Sequence, residues 1–389
     1  MVVEGVVVGM AGPVVEVSRT GEAARGREAW PDTLRVVVIA GVIVMHAATA
    51  YVVDVGWYYE ERTSSEAWQV ALTVPAFLGG LFALGPLFFV AGWLSAPSLA
   101  RRGPDDFAAG RLLRLGVPLV VFTFLIDPVA DYVGHHAQGQ PGSLLDFLVN
   151  RTGARDTGPM WFVAVILVFS IGYAAWRHWR PVIRERAAPG AWDLVVAIGA
   201  IALLSFLVWQ WSSLADESWY NLKWAQWPQG GVLFLLGIWA GERSWLDTWP
   251  RRTAARLGWV ALGALAVLLG LAGYGLASDD VGVIVGSANL PTFLFAWCDG
   301  AIAVAGGLWL VATLRRRRPP ASWWRSAAAR SSYATYVVHP LVLVALMVLI
   351  RDWAVAPETK LLVVAPLGVL VAYASGFALT RLPGVRRLL

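Results

Sequence analysis

The sequence predicts an all-α fold: a polytopic membrane helix bundle of about ten transmembrane helices, with both termini in the cytoplasm. Three observations support this fold class: the composition, the length of the apolar segments and the placement of basic residues. The 389 residues are 58% hydrophobic and only 15% charged. A soluble chain of this length carries considerably more charge. The composition therefore indicates a membrane protein and leaves no room for a separate soluble domain.

Ten apolar segments have the length needed to cross a bilayer as helices. They lie at residues 34–53, 69–95, 112–133, 159–176, 192–211, 228–242, 256–276, 291–314, 331–350 and 361–381. Residues 1–31 mix charged residues with Val and Gly and contain no clear signal peptide, so we expect a disordered cytoplasmic leader. Residues 32–385 then form one transmembrane domain.

The segments between the apolar runs contain many and few basic residues in turn, and this pattern predicts the orientation of the chain in the membrane. Of the 31 Lys and Arg residues, 24 lie in the segments on the N-terminal side of the membrane, six lie in the others, and Arg35 is in the first helix. Cytoplasmic loops are rich in Lys and Arg. The sequence therefore predicts cytoplasmic termini.

The net charge of +5 does not indicate nucleic-acid binding, because the basic residues lie in short loops between apolar segments. Cys298 is the single cysteine, so there is no disulfide framework and no cysteine metal cluster. We expect no metal site and no permanently bound cofactor.

The first helix carries two ionisable residues within an otherwise apolar segment. Arg35 and His46 are eleven positions apart. At ~100° and 1.5 Å per residue they share one face, ~16 Å apart along the axis. Arg35 then lies at the membrane edge and His46 near mid-depth. An ionisable residue at that depth is a functional candidate, although a histidine that only joins neighbouring helices is an alternative.

Four other residues are candidates for function or for structural pairing. Asp299 lies about eight residues into the eighth helix, and His339 is similarly deep in the ninth. Arg111 and Arg114 are one helical turn apart, a spacing suited to binding phosphate. Without further context, anchoring of the helix by snorkelling side chains is the preferred explanation of the two arginines.

Several motifs, in order along the chain, resemble the type-3 family of membrane acyltransferases, which includes polysaccharide O-acetylases. The first helix fits the family pattern of a basic residue, ten intervening positions and a histidine. The further matches are GPLFFVAGWL at 85–94, RLLRLGVP at 111–118, GPMWFVAVILVFS at 158–170, FLLGIWAGE at 234–242 and SSYATYVVHPLVL at 331–343. Ala91 stands where the family usually has serine.

The resemblance implies an O-acyltransferase of the plasma or bacterial inner membrane. Acyl-CoA, with acetyl-CoA as the expected form, is then a co-substrate bound by Arg111, Arg114 and Trp161, and the acceptor is a hydroxyl of a carbohydrate or glycoside. Catalytic roles fall to His46 as base or transient acyl carrier and to Arg35. His339 either orients the site or packs. Asp299 either holds the His46 imidazole or binds acceptor hydroxyls, and no family motif supports it.

A secondary transporter is the main alternative, because transporters also place His and Asp at mid-membrane. Ten helices divide into two halves, but the second half contains no copy of the Arg35–His46 pair. Its nearest equivalent, Arg330 and His339, is nine positions apart and falls on opposite helix faces. The sequence therefore favours the enzyme. It does not predict an oligomeric state.

Overall fold

Helices make up the regular structure of the described chain. The computed structural model describes residues 29–53, 56–150, 157–180, 188–212, 221–243, 245–247, 249–277, 287–317 and 322–385, and these contain no strand. The predicted leader falls almost entirely outside the described residues. We number the long helices α1 to α11. They are α1 Trp30–Tyr51, α2 Glu66–Phe82, α3 Gly85–Arg102, α4 Pro104–Ala137, α5 Trp161–Trp179, α6 Ala191–Trp209, α7 Trp227–Arg243, α8 Arg251–Ala277, α9 Leu290–Arg316, α10 Trp323–Leu349 and α11 Pro357–Leu379.

The predicted class of fold, a polytopic helix bundle, is confirmed. Nine helical stretches in the described chain are long and apolar enough to cross a membrane, with α2 and α3 counted as one stretch. The predicted sixth segment corresponds to α7, which has 17 residues. The ends of the bundle differ chemically. We call the end that holds Arg35 and Arg111 the arginine end, and the other the distal end.

The second predicted segment, 69–95, is wrong as a single helix, because it breaks between α2 and α3. Pro86 lacks an N–H, and its ring clashes with the carbonyl four residues earlier, at Phe82. Phe82 packs beside Trp209 and Phe295, at the distal ends of α6 and α9. Since Glu66 also lies at this end, α2 runs along the distal end, and α3 makes the crossing.

The third segment extends further than predicted, over the whole of α4. Two π-helical turns interrupt it, at Leu112–Gly116 and Phe122–Ile126. Each is followed within two residues by a proline, Pro118 or Pro128. In a regular α-helix the proline ring would clash with the carbonyl four residues earlier. The extra residue of a π turn before each proline relieves that clash. The first π turn contains Arg114 and directly follows Arg111.

Close helix packing positions the core elements of the site. Helices α3 and α7 touch through glycines: a Cβ on Gly92 would lie 2.0 Å from the carbonyl oxygen of Phe234, and one on Gly237 would lie 2.0 Å from that of Phe89. Small residues allow such close approach in membranes. Helix α1 packs against α10 and α11, and this group of three carries both candidate histidines.

The loop after α1 is tied to the start of α11 by an ion pair with a buried lysine. The Lys360 side chain, 1% exposed, donates to Glu61 Oε1 at 2.7 Å and to the carbonyl of Arg351 at 2.6 Å. The backbone N–H of Glu61 also bonds to the carbonyl of Ala50 at 3.0 Å. We call residues 56–65 the distal strap, because they fold back along the end of α1.

Candidate active site

The two candidate histidines contact each other directly. His46 Nδ1 lies 3.0 Å from His339 Nε2. His46 follows the first residue of α1 by as many positions as His339 follows the first of α10, so both lie ~24 Å from the arginine end. Only five positions separate His46 from the last residue of α1. His46 is therefore nearer the distal end than the predicted mid-depth.

Pro340 determines what the second histidine binds. In a regular helix the N–H of residue 340 would bond to the carbonyl of Tyr336, but proline has no N–H to donate. The Tyr336 carbonyl is left available, and His339 Nδ1 lies 2.6 Å from it. Because a carbonyl only accepts hydrogen bonds, His339 Nδ1 must carry the proton.

This contact determines which nitrogen of each histidine carries the proton. A neutral His339 protonated at Nδ1 has a lone pair at Nε2, so Nε2 accepts a hydrogen bond that His46 Nδ1–H donates. A neutral His46 protonated at Nδ1 then has a lone pair at Nε2. No described residue bonds to that nitrogen, and His46 is half-buried whereas His339 is fully buried. The geometry therefore makes His46 Nε2 a nitrogen able to accept a proton.

A tryptophan from the distal strap covers the His46 ring. Trp57 stacks on it with ring centroids 4.2 Å apart and planes 20° from parallel. The strap is held on one side by Tyr58, which donates to Asp127 of α4, and on another by the Glu61–Lys360 pair. The stacked indole restricts rotation of the imidazole about its bond to the helix.

Arginines of α1, α3 and α4 lie together at the arginine end of the bundle. The Arg111 charge interacts with those of Arg35, Arg114 and Arg102. Arg111 itself is half-buried, donates through Nη2 to Ser95 Oγ at 2.9 Å and lies over the Phe107 ring at 5.0 Å. Arg114 is exposed. Like charges brought this close favour an anion between them, and guanidinium groups suit phosphate.

The two ends of the site are separated by a fixed length of helix. Arg35, which pairs with Asp32 at 3.5 Å, lies eleven residues before His46 on the same helix, so ~16 Å along the helix axis separates Arg35 from His46. Trp161 is not at the arginine end: it begins α5 at the distal side, is 8% exposed and packs against Phe88 and Phe162.

Asp299 belongs to a different contact. Its carboxylate accepts a hydrogen bond of 2.9 Å from the side chain of Gln229, and both side chains are buried. The position beside the His46 ring is taken by His339 instead. The structure therefore does not place Asp299 as the group that holds His46.

Sequence reasoning missed four residues that shape the site. Trp57 contacts His46 because the distal strap folds back along α1, and Ser95 contacts Arg111 because α3 and α4 pack together. No local pattern marks either residue. Pro340 and Tyr336 did leave a signal. A proline directly after a candidate histidine, inside a helix, frees the carbonyl four residues before it, within reach of that histidine.

These features define a class of protein: a polytopic membrane protein with a paired histidine site inside the bundle and an arginine cluster at one end. Comparison with known families specifies the class. The sequence model of the type-3 acyltransferase family, described as an acyltransferase domain, matches residues 28–381. The chain therefore belongs to this family of polysaccharide O-acetyltransferase-like membrane proteins and is an O-acyltransferase. No curated protein and no solved structure matches it.

Proposed function

We propose that this enzyme transfers an acyl group, in the simplest case acetyl, from acyl-CoA to a hydroxyl of a carbohydrate or glycoside. The acyl donor binds with its phosphates at the arginine end, and its thioester reaches His46. The acceptor enters from the distal end. The arginine end faces the cytoplasm, and the bilayer is the plasma or inner membrane. The observation that carries the proposal is a pair of hydrogen bonds: His339 bonds to the Tyr336 carbonyl, and His46 bonds to His339. These bonds leave the lone pair of His46 Nε2 available to act as a base.

The chemistry follows from that nitrogen. A sugar hydroxyl is a weak nucleophile at neutral pH, and a positioned base contributes ~10²–10⁴ in rate. His46 Nε2 takes the hydroxyl proton as the acceptor oxygen attacks the thioester carbonyl. The C–S bond then breaks, and the departing thiolate takes the proton back from His46. His339 stabilises the transient imidazolium through the Nδ1 hydrogen bond, as the third member of a catalytic triad does.

An acyl-histidine intermediate is the second route, in which His46 Nε2 itself attacks the thioester and the acceptor then attacks the acylimidazole. The same lone pair serves both routes. They differ in one measurable property, because only the second leaves labelled acyl groups on the protein when no acceptor is present. The transporter alternative requires neither route and gains no support from the family match.

Turnover of radiolabelled acetyl-CoA by purified protein tests the proposal. We expect wild-type protein to release CoA in the presence of acceptor glycan, and His46→Ala to lose at least ~100-fold of that activity. His178→Ala is the matched control, because this histidine is exposed at the end of α5. Unchanged turnover in His46→Ala would exclude the role proposed for His46.

A further inference from the structure

Tyr333 has a hydroxyl that is buried and bonds to no other described residue. Its ring is half-buried and packs against the main core. Burying a hydroxyl without a partner costs ~1–3 kcal/mol, so a native structure rarely keeps one without a reason. A few other buried hydroxyls in the described chain share this property, so the position of Tyr333 has to identify its role. The others are Tyr51, Thr123, Ser170, Ser205, Ser322 and Thr335.

Tyr333 lies at an intermediate depth between the two ends of the site. It follows Trp323, the first residue of α10, by ten positions, which places it ~15 Å into the bundle. By the same measure Arg35 is at ~8 Å and the two histidines are at ~24 Å. The hydroxyl-bearing residue is thus about halfway between the arginine cluster and the proposed base.

Tyr333 also faces away from the neighbouring helix α11. Thr335 lies against Gly376 of α11, and a step of two residues turns the helix by ~200°. Tyr336, one turn after Tyr333, bonds through its hydroxyl to the carbonyl of Pro159, just before α5. Tyr333 therefore lies on the side of α10 that meets α4 and the start of α5, and α4 carries Arg111.

The dimensions of an acyl-CoA fit this arrangement. Its pantetheine arm joins the thioester sulfur to the pyrophosphate through about twelve bonds, as many as four peptide residues, so it spans ~14 Å when extended. The axial distance from Arg35 to His46 is ~16 Å. The arm contains two amides and a hydroxyl, and all of them need hydrogen-bond partners when buried among apolar helices.

We propose that Tyr333 is a binding residue for the pantetheine arm, and that its hydroxyl donates to an amide carbonyl of the arm. This inference rests on the proposed function. Tyr336 cannot serve in this way, because its hydroxyl is already bonded to Pro159. The missing partner of the Tyr333 hydroxyl is then part of the substrate.

Competition against labelled acetyl-CoA tests the inference in purified full-length protein, with pantetheine and adenosine 3′,5′-bisphosphate as separate competitors. We expect Tyr333→Phe to weaken competition by pantetheine ~3–10-fold, the loss of one hydrogen bond, and to leave competition by the bisphosphate unchanged. Tyr51→Phe is the matched control, because Tyr51 also has a buried, unpaired hydroxyl but lies beyond His46 at the distal end. It should change neither competition.

Thermal unfolding with and without acetyl-CoA provides the second measurement. Because the Tyr333 hydroxyl has no described partner in the free protein, Tyr333→Phe should unfold at the same or a higher temperature than wild type without ligand. Addition of acetyl-CoA should raise its unfolding temperature less than it raises that of wild type. Equal pantetheine competition in Tyr333→Phe and wild type overturns this inference alone. Weakened competition by both fragments also overturns it, since the effect is then not specific to the arm. Failure of wild type to bind acetyl-CoA overturns the proposed function as well.

Discussion

At the scale of single residues, the site depends on which nitrogen of each histidine carries a proton. The sequence predicted that Arg35 and His46 share a face, because helical periodicity fixes that relation within one helix. It also singled out His339, but the contact between His339 and His46 spans 293 residues of sequence. No spacing rule reaches that far, so the partner of His46 had to come from the structure.

Pro340 gives the first residue-scale prediction. In Pro340→Ala the restored N–H competes with His339 for the Tyr336 carbonyl, so the protonated nitrogen of His339 is no longer fixed. We expect kcat to fall, by less than the ~10⁴-fold that a wrongly held catalytic histidine can cost, while KM for acetyl-CoA stays unchanged. Steady-state kinetics measure both.

Pro366→Ala, also inside a helix but in α11, is the control for Pro340→Ala. Removing a proline from a helix interior should stabilise both variants. A kcat for Pro340→Ala equal to that of wild type would show that the Tyr336 carbonyl does not control the histidine.

Arg111 gives the second residue-scale prediction. Removing a charge-assisted hydrogen bond to phosphate costs ~1.5–3 kcal/mol, so we expect Arg111→Ala to weaken acetyl-CoA binding ~10–100-fold and to lower the protein level far less. Arg114→Ala should weaken binding in the same direction. Titration calorimetry in detergent measures the affinity. Arg252→Ala, an exposed arginine at the start of α8, is the control, and unchanged affinity in Arg111→Ala would refute the phosphate role.

At the scale of helices, the ten predicted segments all fall on helices, and nine stretches of the described chain are long and apolar enough to cross a membrane. The prediction failed where proline alters the backbone. Hydropathy measures how apolar a segment is, and it does not show whether the helix crosses the membrane or where its backbone bends. The 69–95 segment therefore hid both the break before Pro86 and the course of α2 along the distal end. The π turns of α4 were missed for the same reason, although Pro118 and Pro128 mark their positions.

The glycine contact between α3 and α7 yields a prediction at this scale. A Cβ at position 92 has no room beside the Phe234 carbonyl, so Gly92→Ala must push the two helices apart. We expect a loss of ~1–3 kcal/mol in stability, measured as a lower unfolding temperature in detergent. Gly172→Ala in α5 is the control, because a Cβ there meets nothing within 4 Å. If both variants unfold like wild type, the helices are not in close contact at Gly92.

At the scale of the whole molecule, the arginine distribution predicts orientation, and the proposed reaction depends on it, because acyl-CoA is supplied by the cytoplasm. Labelling of single engineered cysteines checks this directly. We expect Ser143→Cys, in the exposed distal loop, to react with a membrane-impermeant maleimide in intact cells, and Asp105→Cys, exposed at the arginine end, to react only after lysis. Cys298 is buried and gives the background. The reverse pattern would place the donor site outside the cell.

The Glu61–Lys360 ion pair joins positions 299 residues apart, so the distal strap has no anchor on α11 until the last long helix has been made. A ribosome-bound chain that ends before Lys360 contains both histidines, yet its Trp57 lacks that support. Catalytic competence should therefore appear only at the close of biogenesis, when the final hairpin enters the bilayer. Until then, the Trp57 indole is not held over the His46 ring from the α11 side.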